Sequence, residues 1–122
     1  MAQTIAMTDS VEIGMASTAT YTVTEDMSPP HLPVKVLSTP NMVGLIEETC
    51  LKLVQEHLGE GQTTVGIHVC VSHEASVSAG ENVHISCELT DRDRKKLGFI
   101  ATVISGDKTI SKGTHDRFII ET

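Results

Sequence analysis

Two polar residues interrupt apolar patterns in this 122-residue sequence, and their types suit acid–base chemistry. Glu47 stands four residues after Val43 and three before Cys50, so in a helix its carboxylate falls within an apolar arc. A carboxylate there is costly unless it is paired, or faces a cavity or a partner subunit. The alternative, in which Glu47 lies at the edge of the arc and reaches water, stays open at this point.

His73 interrupts a second apolar pattern, an alternating series typical of a strand. That series is Val65, Ile67, Val69 and Val71. A single histidine on such a face is more often a core residue with satisfied hydrogen bonds than a catalyst. If this face covers the apolar arc of the helix, however, Glu47 and His73 project into one space. A buried carboxylate beside an imidazole is typical of general-base or nucleophilic catalysis.

Two smaller residues are candidates for supporting roles. Thr39 directly precedes the helical pattern, and we predict that it is the N-cap. Its hydroxyl would lie beside free N–H groups that favour developing negative charge. Gly66 interrupts the other face of the alternating strand, which indicates a β-bulge or a place where a ligand approaches the backbone closely.

One helix is predicted between two strand regions. Pro40 suits its first turn, the pattern runs from Asn41 to Leu58, and Gly59 ends it. Its apolar arc comprises Met42, Val43, Ile46, Cys50, Leu53, Val54 and Leu58. An arc this broad requires a sheet to cover it.

The remaining segments are read as strands and one ordered loop. Residues 17–24 alternate as a half-buried strand does, and residues 28–40 hold all four prolines, which excludes regular structure there. Strands are predicted at 63–80, 82–89, 97–105 and 109–120. Because their connections are short, we expect an α+β domain with a mostly antiparallel sheet.

The composition fits one globular domain spanning residues 1–122 and excludes a general nucleic-acid role. Hydrophobic residues are 39% and charged residues 20%, so a packed core is expected rather than disorder. Aromatic residues are only 2%, and the net charge is -7. Base stacking requires aromatic platforms, and phosphate binding requires positive charge, so no nucleic-acid partner is expected.

The cysteines and the N-terminus indicate a reduced, cytoplasmic protein. Cys50, Cys70 and Cys87 are far apart in the sequence, which disfavours a disulfide framework. His68 and His84 have no carboxylate or cysteine at metal-ligand spacing, so we expect no metal site. The first residues lack the basic region of a secretory signal, and no apolar stretch is long enough to cross a bilayer.

Three segments together resemble a known family. They are STPNMVGLIEETC at 38–50, VGIHVCVSHEASVSAGENVHISCEL at 65–89 and GTHDRFII at 113–120. In order and spacing they resemble the hot-dog-fold thioesterases of the fluoroacetyl-CoA thioesterase type, over about residues 15 to 121. The resemblance implies a hot-dog fold, in which a curved, mostly antiparallel sheet of about five strands wraps one long central helix.

The resemblance also implies a site and a substrate. The family's catalytic threonine, glutamate and histidine fall on Thr39, Glu47 and His73, its active-site glycine on Gly66 and its terminal arginine on Arg117. Glu47 would activate water or attack the thioester, with His73 as acid–base partner; which of the two is nucleophile or base stays open. The substrate would be an acyl-CoA, without a separate cofactor. The site would lie between subunits of a homodimer or a dimer of dimers.

The proline-rich loop departs from the family pattern. The fluoroacetyl-specific enzyme has phenylalanines there as a lid, whereas residues 28–37 of this chain contain no aromatic residue. We therefore expect no fluoroacetyl selectivity, with His31 and Leu32 at the entrance of the acyl pocket instead. The alternatives are a non-catalytic acyl-CoA-binding protein, a hot-dog dehydratase and a purely structural oligomer.

Overall fold

The computed structural model describes residues 9–122 as one long helix against one five-stranded sheet. The elements are β1 (Ala16–Thr22), a short 3-10 helix (Glu25–Met27), α1 (Thr39–Gln55), β2 (Gln62–Val71), β3 (Asn82–Asp93), β4 (Lys96–Ser105) and β5 (Lys108–Glu121). All neighbouring strands are antiparallel, in the order β1-β3-β4-β5-β2. The predicted α+β architecture is confirmed. The assignment of residues 1–122 to a single domain stays a prediction.

The helix begins and ends earlier than the sequence pattern predicts. Ser38, not Thr39, is the N-cap: its backbone is extended and its hydroxyl accepts a hydrogen bond from the backbone N–H of Asn41 at 3.2 Å. Thr39 is the first helical residue, so its side chain is free for another partner. The helix ends at Gln55 rather than Leu58, because the N–H groups of His57 and Leu58 bond to carbonyls three residues back in a tighter turn.

The core lies between α1 and the inner face of the central strands. Along β3 every second residue from Val83 to Leu89 is buried, as the alternation predicts. Fully buried side chains of the helix and sheet include Met42, Ile46, Val54, Val83, Ile85, Leu89, Leu97, Phe99, Ile110 and Ile119. Each large aliphatic side chain contributes roughly 1.5–3 kcal/mol by leaving water, which makes this interface the main stabilising contact.

β2 is shorter than predicted. The pattern indicated one strand over 63–80, but the strand ends at Val71, and His73 lies in the loop that follows. The N–H groups of Ser72 and Glu74 still donate to carbonyls of β5, at 3.0 and 2.7 Å, and farther along the loop bonds to the proline-rich segment. The N–H of Leu37 donates to the carbonyl of Val77 at 2.9 Å, and that of Ala79 to the carbonyl of Lys35 at 3.0 Å.

A β-bulge divides β2 into two halves. The register with β5 shifts between Gly66 and His68, which confirms the bulge predicted from the glycine. The shift breaks the continuous apolar face that was expected to cover the helix. Val65 and Ile67 are 39% and 50% exposed, whereas Thr64 is 4% exposed. That part of the prediction is wrong because a bulge exchanges the inward and outward positions.

Three further observations concern redox state, membranes and metals. Cys50, Cys70 and Cys87 are all free thiols. No helix within residues 9–122 is long and apolar enough to cross a membrane. Over the same residues, no group of three histidine, cysteine or acidic side chains is arranged to hold a metal ion. Residues 1–8, on which the prediction of no secretory signal rests in part, lie outside the described residues.

Candidate active site

The first part of the site is a hydrogen bond between Thr39 and His73. Thr39 Oγ1 lies 2.7 Å from Nδ1 of His73. Thr39 can make this contact because Ser38 already caps the helix. The pair therefore lies at the N-terminus of α1, where backbone N–H groups favour negative charge.

The proline-rich loop forms a hollow beside this pair. The hollow has a volume of about 350 Å³, and Pro29, Leu32, Leu37 and Ala75 supply apolar walls around Thr39 and His73. His31 lines an adjoining hollow of about 440 Å³, which also reaches Thr39. The two loop residues predicted at the pocket entrance thus both lie next to the threonine.

The second part of the site is the approach of Glu47 to the backbone of β2. A Cβ placed on Gly66 would lie 2.9 Å from Glu47 Oε2, closer than carbon and oxygen can pack. With glycine at this position, the carboxylate approaches the bulged strand without having to shift. Glu47 is half-buried, so the helix holds an acid against a strand backbone at the edge of the core.

Arg117 lies on the same inner face, opposite Gly66 in the β2–β5 ladder. It is 6% exposed. Its Nε donates to Thr64 Oγ1 at 2.7 Å, and Nη2 donates to the carbonyl of Thr64 at 3.0 Å. Burial lowers the pKa of Arg117, while the charge of Glu47 acts in the opposite direction. The guanidinium remains protonated at neutral pH, so a fixed positive charge faces the Glu47 side of the site.

His115 completes this buried cluster and is fully buried. Its Nε2 lies 3.1 Å from Arg117 Nη1. Neither His115 nor Thr64 was among the site residues predicted from the sequence. The i,i+2 spacing of His115 and Arg117 was the available signal, because it places both side chains on one face of a strand.

The two parts of the site do not meet within one chain. Thr39 and Glu47 are eight residues apart on α1, which is about 12 Å along the helix axis. Among residues 9–122, no hydrogen bond or salt bridge joins Glu47 to Thr39 or His73. The structure therefore brings Thr39 to His73, and it brings Glu47 to Gly66, near Arg117. The expected contact between Glu47 and His73 is not formed within the chain.

A long helix against five antiparallel strands, with these polar groups between them, is the architecture of the hot-dog class. The hot-dog-like protein from Thermanaerovibrio acidaminovorans superimposes with a TM-score of 0.84, over 100% of this chain and 90% of that one. At 14% identity, this match establishes the fold alone.

The family is established by sequence. The pattern of the FlK family, described as fluoroacetyl-CoA-specific thioesterase, matches residues 17–122, and the chain belongs to this family of thioester hydrolases. Fluoroacetyl-CoA thioesterase from Streptantibioticus cattleyicolor is 28% identical over 93% of this chain and 88% of its own length. A variant of FlK crystallised with fluoroacetate and CoA is 27% identical, covering 91% of this chain and 96% of that one, with a TM-score of 0.85.

Proposed function

We propose that this protein hydrolyses acyl-CoA thioesters to a carboxylate and free CoA. The observation that carries the proposal is the carboxylate of Glu47 held against the Gly66 backbone, in a member of a thioesterase family. A hydrolase needs a group that attacks the carbonyl or activates water to do so, and a carboxylate supplies either function. CoA is part of the substrate, and the proposal requires no separate cofactor.

The reaction assigns a role to each of the three catalytic candidates. Glu47 removes a proton from water as the water oxygen attacks the thioester carbon, or attacks that carbon itself to form a mixed anhydride, which water then hydrolyses to the carboxylate and free Glu47. The C–S bond then breaks, and His73 is the acid–base partner that returns a proton to the leaving thiolate. Thr39, hydrogen-bonded to His73, orients the imidazole or the thioester. Backbone N–H groups at the helix start or near Gly66 stabilise the oxyanion.

A homodimer would bring the two parts of the site together. β2 is an edge strand, and Val69 near its end is 37% exposed. Suppose that the free edges of β2 from two subunits pair antiparallel, with Val69 of one opposite Val69 of the other. Gly66, three residues before the centre, then lies opposite Ser72 of the partner subunit, three residues after it. Glu47 would then face His73 of the partner subunit. This arrangement gives a reason for the separation of the two groups within one chain.

The experiment is a hydrolysis screen of the purified protein, with free thiol release as the readout. The substrates run from acetyl-CoA to long-chain and aromatic acyl-CoAs. Glu47→Gln and His73→Ala should each lower kcat by roughly 10²–10⁴-fold while leaving the fold intact, because general acid–base groups typically contribute that much.

Glu48→Gln is the matched control for Glu47. Glu48 is adjacent in sequence, but it is exposed and bonds to Tyr21 and Lys52 away from the site. Its variant should hydrolyse at nearly the wild-type rate.

If the wild type binds CoA without releasing thiol from any substrate, the protein is a binding protein and the proposal fails. Near-wild-type turnover by Glu47→Gln would remove that residue from the mechanism. The cytoplasmic location and the oligomeric state stay predictions.

A further inference from the structure

His115 is a fully buried polar side chain to which the proposed reaction gives no role. Its Nδ1 lies 2.8 Å from the carbonyl oxygen of His68, and its Nε2 lies 3.1 Å from Arg117 Nη1. The ring of Phe99 stacks on it, with centroids 6.3 Å apart and planes 26° apart. The imidazole is therefore held by contacts on β2, β4 and β5 together.

These partners determine the protonation state of His115. A carbonyl oxygen can only accept a hydrogen bond, so Nδ1 must carry the proton. A guanidinium can only donate, so Nε2 must present its lone pair. The imidazole is neutral. Burial lowers the pKa of His115 and the charge of Arg117 lowers it further, although the His68 carbonyl, Glu47 and Asp116 oppose the shift.

Arg117 belongs to the candidate active site, and the His68 carbonyl lies beside the Gly66 bulge of that site. His68 directly follows the bulge that Gly66 begins, and a Cβ placed on Gly66 would lie 3.2 Å from His115 Cε1. Arg117 is the fixed cation on the Glu47 side. One imidazole thus contacts the guanidinium at one ring nitrogen and the bulged backbone at the other.

We propose that His115 is a positioning residue of the thioesterase site, holding Arg117 and the Gly66 bulge in the geometry that Glu47 requires. The proposal rests on the proposed function and deepens it. His115 acts through its two neighbours and does not touch the thioester. A phenylalanine would fill the same space against Phe99, so packing alone does not require an imidazole. A phenylalanine would, however, leave the Arg117 donor and the His68 carbonyl without their buried partner.

Three substitutions separate the two contacts. His115→Phe removes both, and we expect kcat to fall about 10²-fold, since a small misplacement of a catalytic constellation has that effect. His115→Gln places an amide oxygen near the Nε2 position, where it accepts from Arg117, and should recover at least about tenfold of the loss. His115→Asn keeps the donor to His68 but not the acceptor, and should remain slow. Equal rates for all three variants would overturn the Arg117 contact as the operative one.

A double-mutant cycle tests whether His115 acts through Arg117. The His115→Phe, Arg117→Ala double variant should be no slower than Arg117→Ala alone, because the positioning residue has nothing left to position. If instead the losses in kcat of the two single variants multiply in the double variant, His115 has a role independent of Arg117 and the proposal is overturned. His84→Phe is the matched control. His84 bonds to Thr20 across β1 and β3, away from the site, and its loss should leave kcat unchanged.

Nitrogen NMR tests the same geometry without any activity. The His115 ring should show one protonated nitrogen, Nδ1, without change across the neutral pH range. The Nε–H resonance of Arg117 should be protected in the wild type and exchange faster in His115→Phe. Titration of the ring near the ordinary histidine pKa of about 6.5, or an unchanged Arg117 resonance, would overturn the proposal. These results decide the role of His115 in fixing Arg117 even if the wild type hydrolyses no acyl-CoA, in which case the proposed function alone fails.

Discussion

β2 and β3 carry similar sequence patterns but differ in burial. Both alternate aliphatic with other residues over several positions. In β3, Val83 and Ile85 are completely buried. In β2, Val65 and Ile67 are 39% and 50% exposed. The alternation predicts correctly that each segment is a strand, but it does not predict what covers the strand.

The difference follows from position and from one glycine. β3 lies between β1 and β4 and packs beneath α1, so its inner face is covered by the same chain. β2 is an edge strand, and the bulge after Gly66 exchanges its inward and outward positions. The bulge gives Glu47 access to the backbone, and Val65 and Ile67 stay partly exposed in the single chain. The strand that departs from the regular pattern is therefore the one that carries the candidate site.

The prediction with the largest expected effect tests the difference in burial between β3 and β2. Ile85→Ala should lower the free energy of unfolding by about 2–5 kcal/mol, because it leaves a cavity under the helix. Ile67→Ala removes the same atoms from a half-exposed position and should cost less than about 1 kcal/mol in dissociated chains. Urea unfolding at several protein concentrations measures both. Equal losses would mean that β2 is as buried as β3 in the single chain.

The second prediction tests whether a partner covers β2. Ile67→Lys places a charge on the free edge, which opposes strand pairing. We expect the dissociation constant of the dimer to rise at least tenfold, about 1.4 kcal/mol, and hydrolysis to fall with it. Sedimentation velocity at micromolar concentration measures the assembly. Ile100→Lys on the central strand β4 is the control, because Ile100 is similarly exposed but lies away from the edge. A wild type that is a stable monomer under these conditions would exclude the shared site.

The third prediction concerns the far end of β3, where the contact lies within the chain. Arg92 donates to both carboxylate oxygens of Asp9, at 2.6 and 2.9 Å, and holds the pKa of Asp9 below its usual value near 3.8. Asp9 therefore contributes stability above about pH 3.8, and this contribution is lost as the pH falls through the lower folded-state pKa. Asp9→Asn should cost up to about 1 kcal/mol at neutral pH.

The pH series is the control for that contact. Urea unfolding of wild type and Asp9→Asn, from pH 7 down to about pH 2, should show a stability difference that shrinks with acidity. A difference that is constant with pH would assign the effect to something other than the ionised pair. Unlike the Ile67→Lys variant, Asp9→Asn should leave the dimer dissociation constant unchanged, because the pair lies within one chain.

Much of the fold could be predicted from the sequence because local periodicity reports it. The apolar arc gives the helix, and the alternation gives the strands. The predicted ends of these elements were wrong where another residue makes the hydrogen bond that the prediction assigned, or where the chain turns to a different partner. Ser38 takes the N-cap from Thr39, and β2 ends at Val71, after which residues 77–79 bond to the proline-rich segment.

The site was only partly predictable, for a different reason. Glu47 and His73 were recognised because each is polar within an apolar pattern, and Gly66 because a glycine in a strand indicates a bulge. The separation of Glu47 from His73 was not visible, because it depends on how the helix lies along β2. His115 was missed because its importance comes from cross-strand partners, such as the His68 carbonyl, that no local pattern identifies.

The smallest expected effect is on substrate preference and concerns the proline-rich loop. This loop belongs neither to the buried core, as β3 does, nor to the edge of the sheet, as β2 does. Its wall beside the Thr39–His73 pair is aliphatic, with Leu32 and Leu37 and no aromatic residue. An aliphatic wall stabilises each substrate methylene by only about 0.8 kcal/mol, roughly fourfold in kcat/KM. We therefore expect a broad acyl preference and little selection of fluoroacetyl-CoA over acetyl-CoA, measured by kcat/KM for acetyl-, fluoroacetyl-, propionyl- and butyryl-CoA. Leu32→Ala should flatten the dependence on chain length, whereas Val34→Ala, at an exposed position outside the hollow, should not. A strong fluoroacetyl preference would contradict this role for the loop, because the discrimination would then arise outside its aliphatic wall.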